Sequence, residues 1–336
     1  MNVTAAKIAA IGLNHDHIYG MTDQLLHAGA ELVAFHEPDD ALAARYAARY
    51  PAARRVADRR AVLEDPSVAC VLTAAVNADR AGIGIEAMRH GKDALADKPG
   101  VITPEQLAAL RAAHSETGRR YIVHFSERVS QSSTARAEEL VASGAIGQVI
   151  NIVGLGPHRL RPSGRPDWFF SRERAGGILV DIAAHQFDQF LAFTDATRAE
   201  VVAATAANRA HPQYPELQDF GEALLRAEGA TGYLRVDWFT PEGLPIWGDG
   251  RTVILGTEGT IELRKYVDIA GRPGGDHLFL FDGKEVRHMD CAAFVPPFGV
   301  RFLADLRDRT ETAMTQAHAF LACELALRAQ AMADAA

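Results

Sequence analysis

Lys98, in Asp97-Lys98-Pro99, and the pair Asp181-x-x-x-His185 are the residues of this chain best suited to proton and charge chemistry. The chain holds five lysines against thirty arginines, so a lysine fixed beside a ring-locked proline suggests a task for a compact ammonium with a tunable pKa. Asp181 and His185 stand four positions apart, which predicts both side chains on one helical face. Imidazole is the side chain best matched to remove a carbinol proton near neutrality. A nearby ammonium would stabilise the developing alkoxide. Thirteen histidines also invite a metal site, with His15, His17, His124, His158 and His185 as candidates. No H-E-x-x-H or paired-cysteine motif supports one, so no metal is expected, and His15-Asp16-His17 is read as lining a cofactor entrance or capping a helix.

The first turn has the layout of a dinucleotide site. Gly12-Leu13-Asn14-His15-Asp16-His17-Ile18-Tyr19-Gly20 follows an apolar strand and opens a helix, the layout that seats a pyrophosphate on a helix N-terminus. Gly12 takes the first glycine position, Asn14 the second and His17 the third, where Gly or Ala is usual. Asn14 tolerates left-handed backbone angles, and a looser loop closing nearer Gly20 is the alternative. Glu37, after the second strand, would bind a ribose hydroxyl. Pro38 and Asp39 follow it with no adjacent arginine to receive a 2′-phosphate, which favours NAD over NADP. The competing reading is an ordinary strand-to-helix turn with Glu37 a solvated loop carboxylate.

The elements that must position these residues change character along the chain. From 7 to 124, short apolar runs alternate with amphipathic stretches, which implies parallel strands joined by crossover helices. The expected fold is a Rossmann-type doubly wound parallel sheet over residues 1–125. An α+β domain over 126–336 follows, with a large, mostly antiparallel open sheet. Its longer strands include 232–239 and 251–255. A terminal helix from about 315 to 331 is the element placed to return to the first domain. His124 and Arg128 end the last strand of the first half, where α/β sheets place ligands, so His124 is read as contacting substrate; a buried structural role is the alternative. The loop containing His158 and Trp168 is polar and aromatic, suited to hold a polyhydroxylated ring. Trp168 could equally serve as packing.

Bulk properties narrow the class. With 336 residues and 48% apolar content, two globular domains are expected. A net charge of -8 without a basic tract argues against nucleic acid or an anionic membrane as partner. No run approaches the roughly eighteen apolar residues of a membrane span, and Met1-Asn2-Val3-Thr4 lacks a basic signal-peptide start. Cys70, Cys291 and Cys323 are too scattered for a disulfide framework, in keeping with a cytoplasmic location.

Five motifs in order, the Gly12 turn, Ala74-Ala75-Val76-Asn77, Asp97-Lys98-Pro99, Gly144-Ala145-Ile146-Gly147-Gln148-Val149 and the stretch from Gly176 to His185, resemble the Gfo/Idh/MocA oxidoreductases. The resemblance covers nearly the whole chain. It implies that Lys98 assists catalysis, Asp181 contacts substrate, His185 accepts the proton and Asn77 contacts the cofactor. Asp97 stands where this family usually has Glu, and Ala183 where glycine is common. The expected activity is NAD-dependent oxidation of a secondary hydroxyl of a sugar, inositol or related polyol, by a homodimer or homotetramer associating through the exposed sheet face. Two alternatives are carried: a redox-neutral glycoside hydrolase or lyase that retains NAD, and a non-catalytic NAD- or sugar-binding regulator.

Overall fold

A computed structural model describes residues 5–336; the reading made above for Met1-Asn2-Val3-Thr4 lies outside the described residues. The chain divides into two compact units, one running up to His124 and including Pro297–Phe320, the other Phe125–Pro296 with Leu321–Ala336.

The first unit contains β1 (Lys7–Ile11), α1 (His17–His27), β2 (Glu31–His36), α2 (Asp40–Arg49), β3 (Arg54–Arg55) and α3 (Arg60–Leu63). It continues with β4 (Cys70–Thr73), α4 (Asn77–Arg89), β5 (Asp93–Asp97), α5 (Pro104–Thr117) and β6 (Tyr121–His124). Its six strands order as β3-β2-β1-β4-β5-β6, all parallel. Ile8, Ala9 and Ala10 of β1 are fully buried, as a strand covered by helices on both faces requires. The order reverses between β1 and β4, and in such sheets ligands dock beyond the strand C-termini at that point. Gly12, Asn77 and Lys98 all follow those C-termini.

The second unit opens with α6 (Ser126–Val129), α7 (Ser132–Ala142), β7 (Val149–Pro157), α8 (Arg172–Ala175), α9 (Ile178–Asp181) and α10 (Ala184–Thr194). Then come β8 (Ala199–Ala207), β9 (Phe220–Ala227), β10 (Ala230–Asp237), β11 (Arg251–Gly256), β12 (Gly259–Arg264), β13 (His277–Asp282) and β14 (Val286–Asp290). These strands form one sheet, ordered β14-β13-β12-β11-β7-β10-β9-β8, antiparallel except where β7 meets β10. Helix α10 lies close over it. A Cβ on Gly154 or Gly156 of β7 would come within 3.0 or 2.7 Å of the Gln186 side chain, so both glycines are needed for that approach. On the opposite face Leu224, Tyr233, Val153 and Val253 stand in register across β9, β10, β7 and β11, and Leu224 is 46% exposed.

Two helices remain. α11 (Phe298–Asp308) packs on α1 in the first unit, and α12 (Gln316–Asp334) closes the chain. No helix among the described residues is long and apolar enough to cross a membrane.

Candidate active site

The dinucleotide turn is built around Gly12. Its φ of +79° is a left-handed value, and a Cβ there would sit 2.5 Å from that of Ala75. Backbone bonds fix the turn between two strand ends: Gly12 N–H donates to His36 O at 3.1 Å, and His15 N–H to Ala74 O at 2.9 Å. Glu37 is buried, not solvated. Its Oε2 accepts the Leu13 amide at 2.7 Å and its Oε1 the Asp39 amide at 3.0 Å. The side-chain-free cradle at Gly12, the start of α1 and this carboxylate together fit a dinucleotide. Arg55 from β3, distant in sequence, donates to the Glu37 carbonyl at 2.9 Å and pairs with Asp40 at 2.7 Å.

Asp16 in the cap position of α1 makes no side-chain cap bond, while His15 Nδ1 accepts the first amide of the helix, that of His17, at 3.2 Å. Both rings also turn towards Asp97, at the C-terminus of β5. His17 Nδ1 lies 2.9 Å from Asp97 Oδ1, and His15 Nδ1 3.7 Å from Oδ2. Below them Arg80, fully buried, sets its guanidinium 3.1 Å from Asp97 Oδ2. The same guanidinium donates to the carbonyls of Ala75 at 2.8 Å, Asp97 at 3.2 Å, Lys98 and Pro99 at 3.3 Å. Arg80 therefore holds the backbone that presents Lys98, itself only 5% exposed; the Lys98-Pro99 bond is cis.

Burial would raise the Asp97 carboxyl, but His17 and Arg80 outweigh it and hold the group well below the usual carboxylate range. For His15, burial first and then His17, Lys98 and Arg80 push the imidazole well below its ordinary value, with Asp97 opposing. His15, His17 and Asp97 could in principle share a cation, since their ligand atoms lie within 4.8 Å of one another. Two observations favour a hydrogen-bonded cluster: His15 Nδ1 already accepts the His17 amide at 3.2 Å, and the Arg80 guanidinium occupies the other edge of the carboxylate.

Two further positions belong to this unit. Asn77 starts α4 and is 3% exposed. His124 is buried, with Nε2 2.9 Å from Gln24 Oε1 and its ring edge-on to Phe298.

In the second unit, Asp181 and His185 do not share one regular helix as their spacing predicted. Asp181 ends α9, Ile182 and Ala183 form a turn, and His185 lies in the first turn of α10. The cause is local: Ala183 N–H reaches back five residues to Ile178 O at 3.3 Å, widening the helix at that point. Asp181 faces a cavity lined by Phe169, Arg172, Gly177, Glu216 and Trp238. Arg165 stacks over Phe169 and Trp238, 4.5 and 4.9 Å from the ring centroids. Burial lowers the Arg165 guanidinium and the Asp181 carboxylate opposes that shift.

His158 lies edge-on to Trp247 at 4.4 Å and to Trp238 at 5.5 Å, with its amide donating to Asp237 O at 2.8 Å. Trp168 occupies a short 3-10 turn, Asp167–Phe170, at 6.2 Å from Phe169. Arg128 is committed elsewhere, forming a bidentate pair with Asp188 at 2.6 and 2.8 Å.

Two groups escaped the reading of the sequence. Arg80 is one; it stands three residues before Ile83 and seven before Ala87 on the buried face of α4, and a lone arginine on an apolar stripe was the available signal. The other is the ion pair of Glu127 and Lys265, 2.9 Å apart and both buried. Lysine scarcity pointed to Lys265 as much as to Lys98.

The fold and the first turn define an NAD-binding oxidoreductase. Residues 7–125 match the model of the oxidoreductase family with an NAD-binding Rossmann fold, and residues 134–262 that of the GFO/IDH/MocA C-terminal domain. The chain belongs to the Gfo/Idh/MocA family. It is 31% identical over 155 residues to levoglucosan dehydrogenase of Pseudarthrobacter phenanthrenivorans, covering 45% of this chain and 40% of that protein. It is 28% identical over 240 residues to scyllo-inositol 2-dehydrogenase (NAD(+)) of Bacillus subtilis, covering 69% of this chain and 66% of the other. The matched stretches thus span less than two thirds of these curated relatives. A crystal structure from Erwinia carotovora atroseptica SCRI1043, assigned as an oxidoreductase, superposes with a TM-score of 0.94 at 45% identity over 98% of both chains.

Proposed function

We propose that this protein is an NAD-dependent dehydrogenase acting on a secondary hydroxyl of a sugar, inositol or related polyol. The observation that carries the reading is the clamp of Arg80 on the Asp97-Lys98-Pro99 backbone, which fixes a buried lysine beside the dinucleotide turn. Lys98 stabilises alkoxide character, His185 accepts the hydroxyl proton, and Asp181 orients the hydroxyl. When bound, the nicotinamide supplies the hydride acceptor. Gly12, Asn14, His15, His17, Glu37 and Asn77 hold the dinucleotide. Glu37 favours an unphosphorylated ribose, and the charge of Arg55 is engaged by Asp40, which supports NAD over NADP.

His158 and Trp168 are assigned to the polyol, which would stack on the aromatic surface near Trp238 and Trp247. His124, joined to Gln24, is assigned a structural part. The names of the two curated relatives, one for an anhydrosugar and one for an inositol, support the substrate class. A second copy of the chain would cover the apolar row through Leu224 and Val253, and sedimentation as a monomer would refute that. Three isolated buried thiols support a cytoplasmic location. The reading is tested by Lys98→Met, which should abolish NAD reduction while leaving the circular dichroism spectrum unchanged; retained turnover would refute the role of Lys98.

A further inference from the structure

Glu127 is 1% exposed in the short helix α6, and its Oε2 accepts from Lys265 Nζ at 2.9 Å and from Gln186 Nε2 at 3.1 Å. Gln189 Nε2 lies 3.5 Å from the same oxygen and donates to the His185 carbonyl at 2.9 Å, while Gln189 Oε1 accepts from Lys265 at 2.6 Å. The carboxylate therefore sits against the first turn of α10, the turn that carries His185. Its second oxygen, Oε1, is buried and has no hydrogen-bond partner. A buried carboxylate held by one side only is costly unless something else uses its charge.

We infer that Glu127 is a positioning residue for His185: its carboxylate, anchored by Lys265 and the two glutamines of α10, stabilises the imidazolium formed when His185 takes the substrate proton. The inference rests on the reading of His185 as the base. Burial alone would raise the Glu127 carboxyl, but Lys265, His185 and His158 outweigh it and bring it to about 2, so the group is ionised at every working pH.

The titratable groups that act on Glu127, or stand close to His185 along the chain, come from several elements. Glu127 is on α6, Lys265 and Tyr266 follow β12, His158 follows β7, and Asp181 ends α9. The Arg128 and Asp188 pair neutralises itself. Lys265 and Glu127 likewise cancel at a distance. Close to α10 the two charges stay distinct, the carboxylate bonded to Gln186 and the ammonium to Gln189.

The test is a titration of His185 in the full-length protein by NMR of histidine labelled with carbon-13, assigned with His185→Gln. Glu127→Gln, which keeps the shape and removes the charge, should lower the His185 pKa by about one unit, because the two groups act on each other and a nearby opposite charge favours the charged ring. Glu127→Gln with Lys265→Met, which also removes the stranded ammonium, should recover part of that shift and remains informative if the single variant fails to fold. In the enzyme assay the acid limb of kcat/KM should move to lower pH by the same amount, with KM nearly unchanged and kcat reduced about tenfold. An unmoved His185 titration in both variants would overturn the inference. Absence of NAD reduction by the unmodified protein would refute the proposed function instead, and the NMR titration would still decide whether Glu127 governs His185.

Discussion

His17 Nδ1 lies 2.9 Å from Asp97 Oδ1, so the first turn of the dinucleotide site is tied to the C-terminus of β5. Each of these residues departs from the pattern of the family: His17 replaces a small residue at the third glycine position, and Asp97 replaces the usual Glu before the lysine. The two departures meet each other. The Asp97 carboxylate pairs with His17 on one oxygen and, at 3.1 Å, with Arg80 on the other.

Asp97→Asn should therefore do more than remove one hydrogen bond. It leaves the Arg80 guanidinium buried without its counter-charge, and losing one partner of a buried pair costs about 3–5 kcal/mol. Urea denaturation should show that loss, together with weaker NAD binding, since the Lys98 backbone hangs on the same guanidinium. A variant as stable as the parent would show that Arg80 is satisfied by the four carbonyls alone.

Gly12→Ala places a Cβ 2.5 Å from that of Ala75 at a φ of +79°. The neighbour is a short side chain on a buried segment and cannot swing away. Strain of about 1–3 kcal/mol is expected from the backbone alone. Thermal unfolding should fall, and NAD binding measured by calorimetry should weaken at least tenfold. Unaltered binding would mean that the turn does not approach the dinucleotide.

The His15 ring is pushed below its ordinary pKa in the folded protein, so folding disfavours its protonation. The stability carried by the neutral ring is complete above about pH 6.5 and is lost as pH falls through the depressed folded-state value. His15→Gln should make the melting temperature less sensitive to acidification between pH 8 and pH 5.5. A steeper loss in the variant would reverse the sign of this account.

Gly156→Ala would bring a methyl to 2.7 Å from Gln186 Nε2, the end of a flexible side chain. Stability should drop by only about 1–3 kcal/mol, the usual cost of overpacking. Activity should fall more than stability suggests, because Gln186 is bonded to Glu127 beside the His185 turn. Equal losses in a variant far from α10, such as one in β14, would remove the significance of the effect.

Much of this molecule was legible in its sequence. Alternating apolar and amphipathic stretches gave the parallel sheet, because strands buried on both faces must be short and apolar. Longer strands with period-two alternation gave the second sheet. β3, with two exposed arginines, carries no hydrophobic signal and was missed. The break between Asp181 and His185 was missed because no glycine or proline marks it; it arises from a backbone bond five residues long. Arg80 and Glu127 were hidden for another reason: the partners that justify burying them, Asp97 and Lys265, are 17 and 138 residues away in sequence.

The most direct measurement follows the near-ultraviolet absorbance of reduced nicotinamide in purified protein mixed with NAD or NADP and a panel of inositols, sugars and glycosides. The account predicts NADH formation with NAD and at least one polyol, abolished by Lys98→Met. No reduction of either nucleotide with any member of the panel, or undiminished reduction by the Lys98→Met variant, would contradict it.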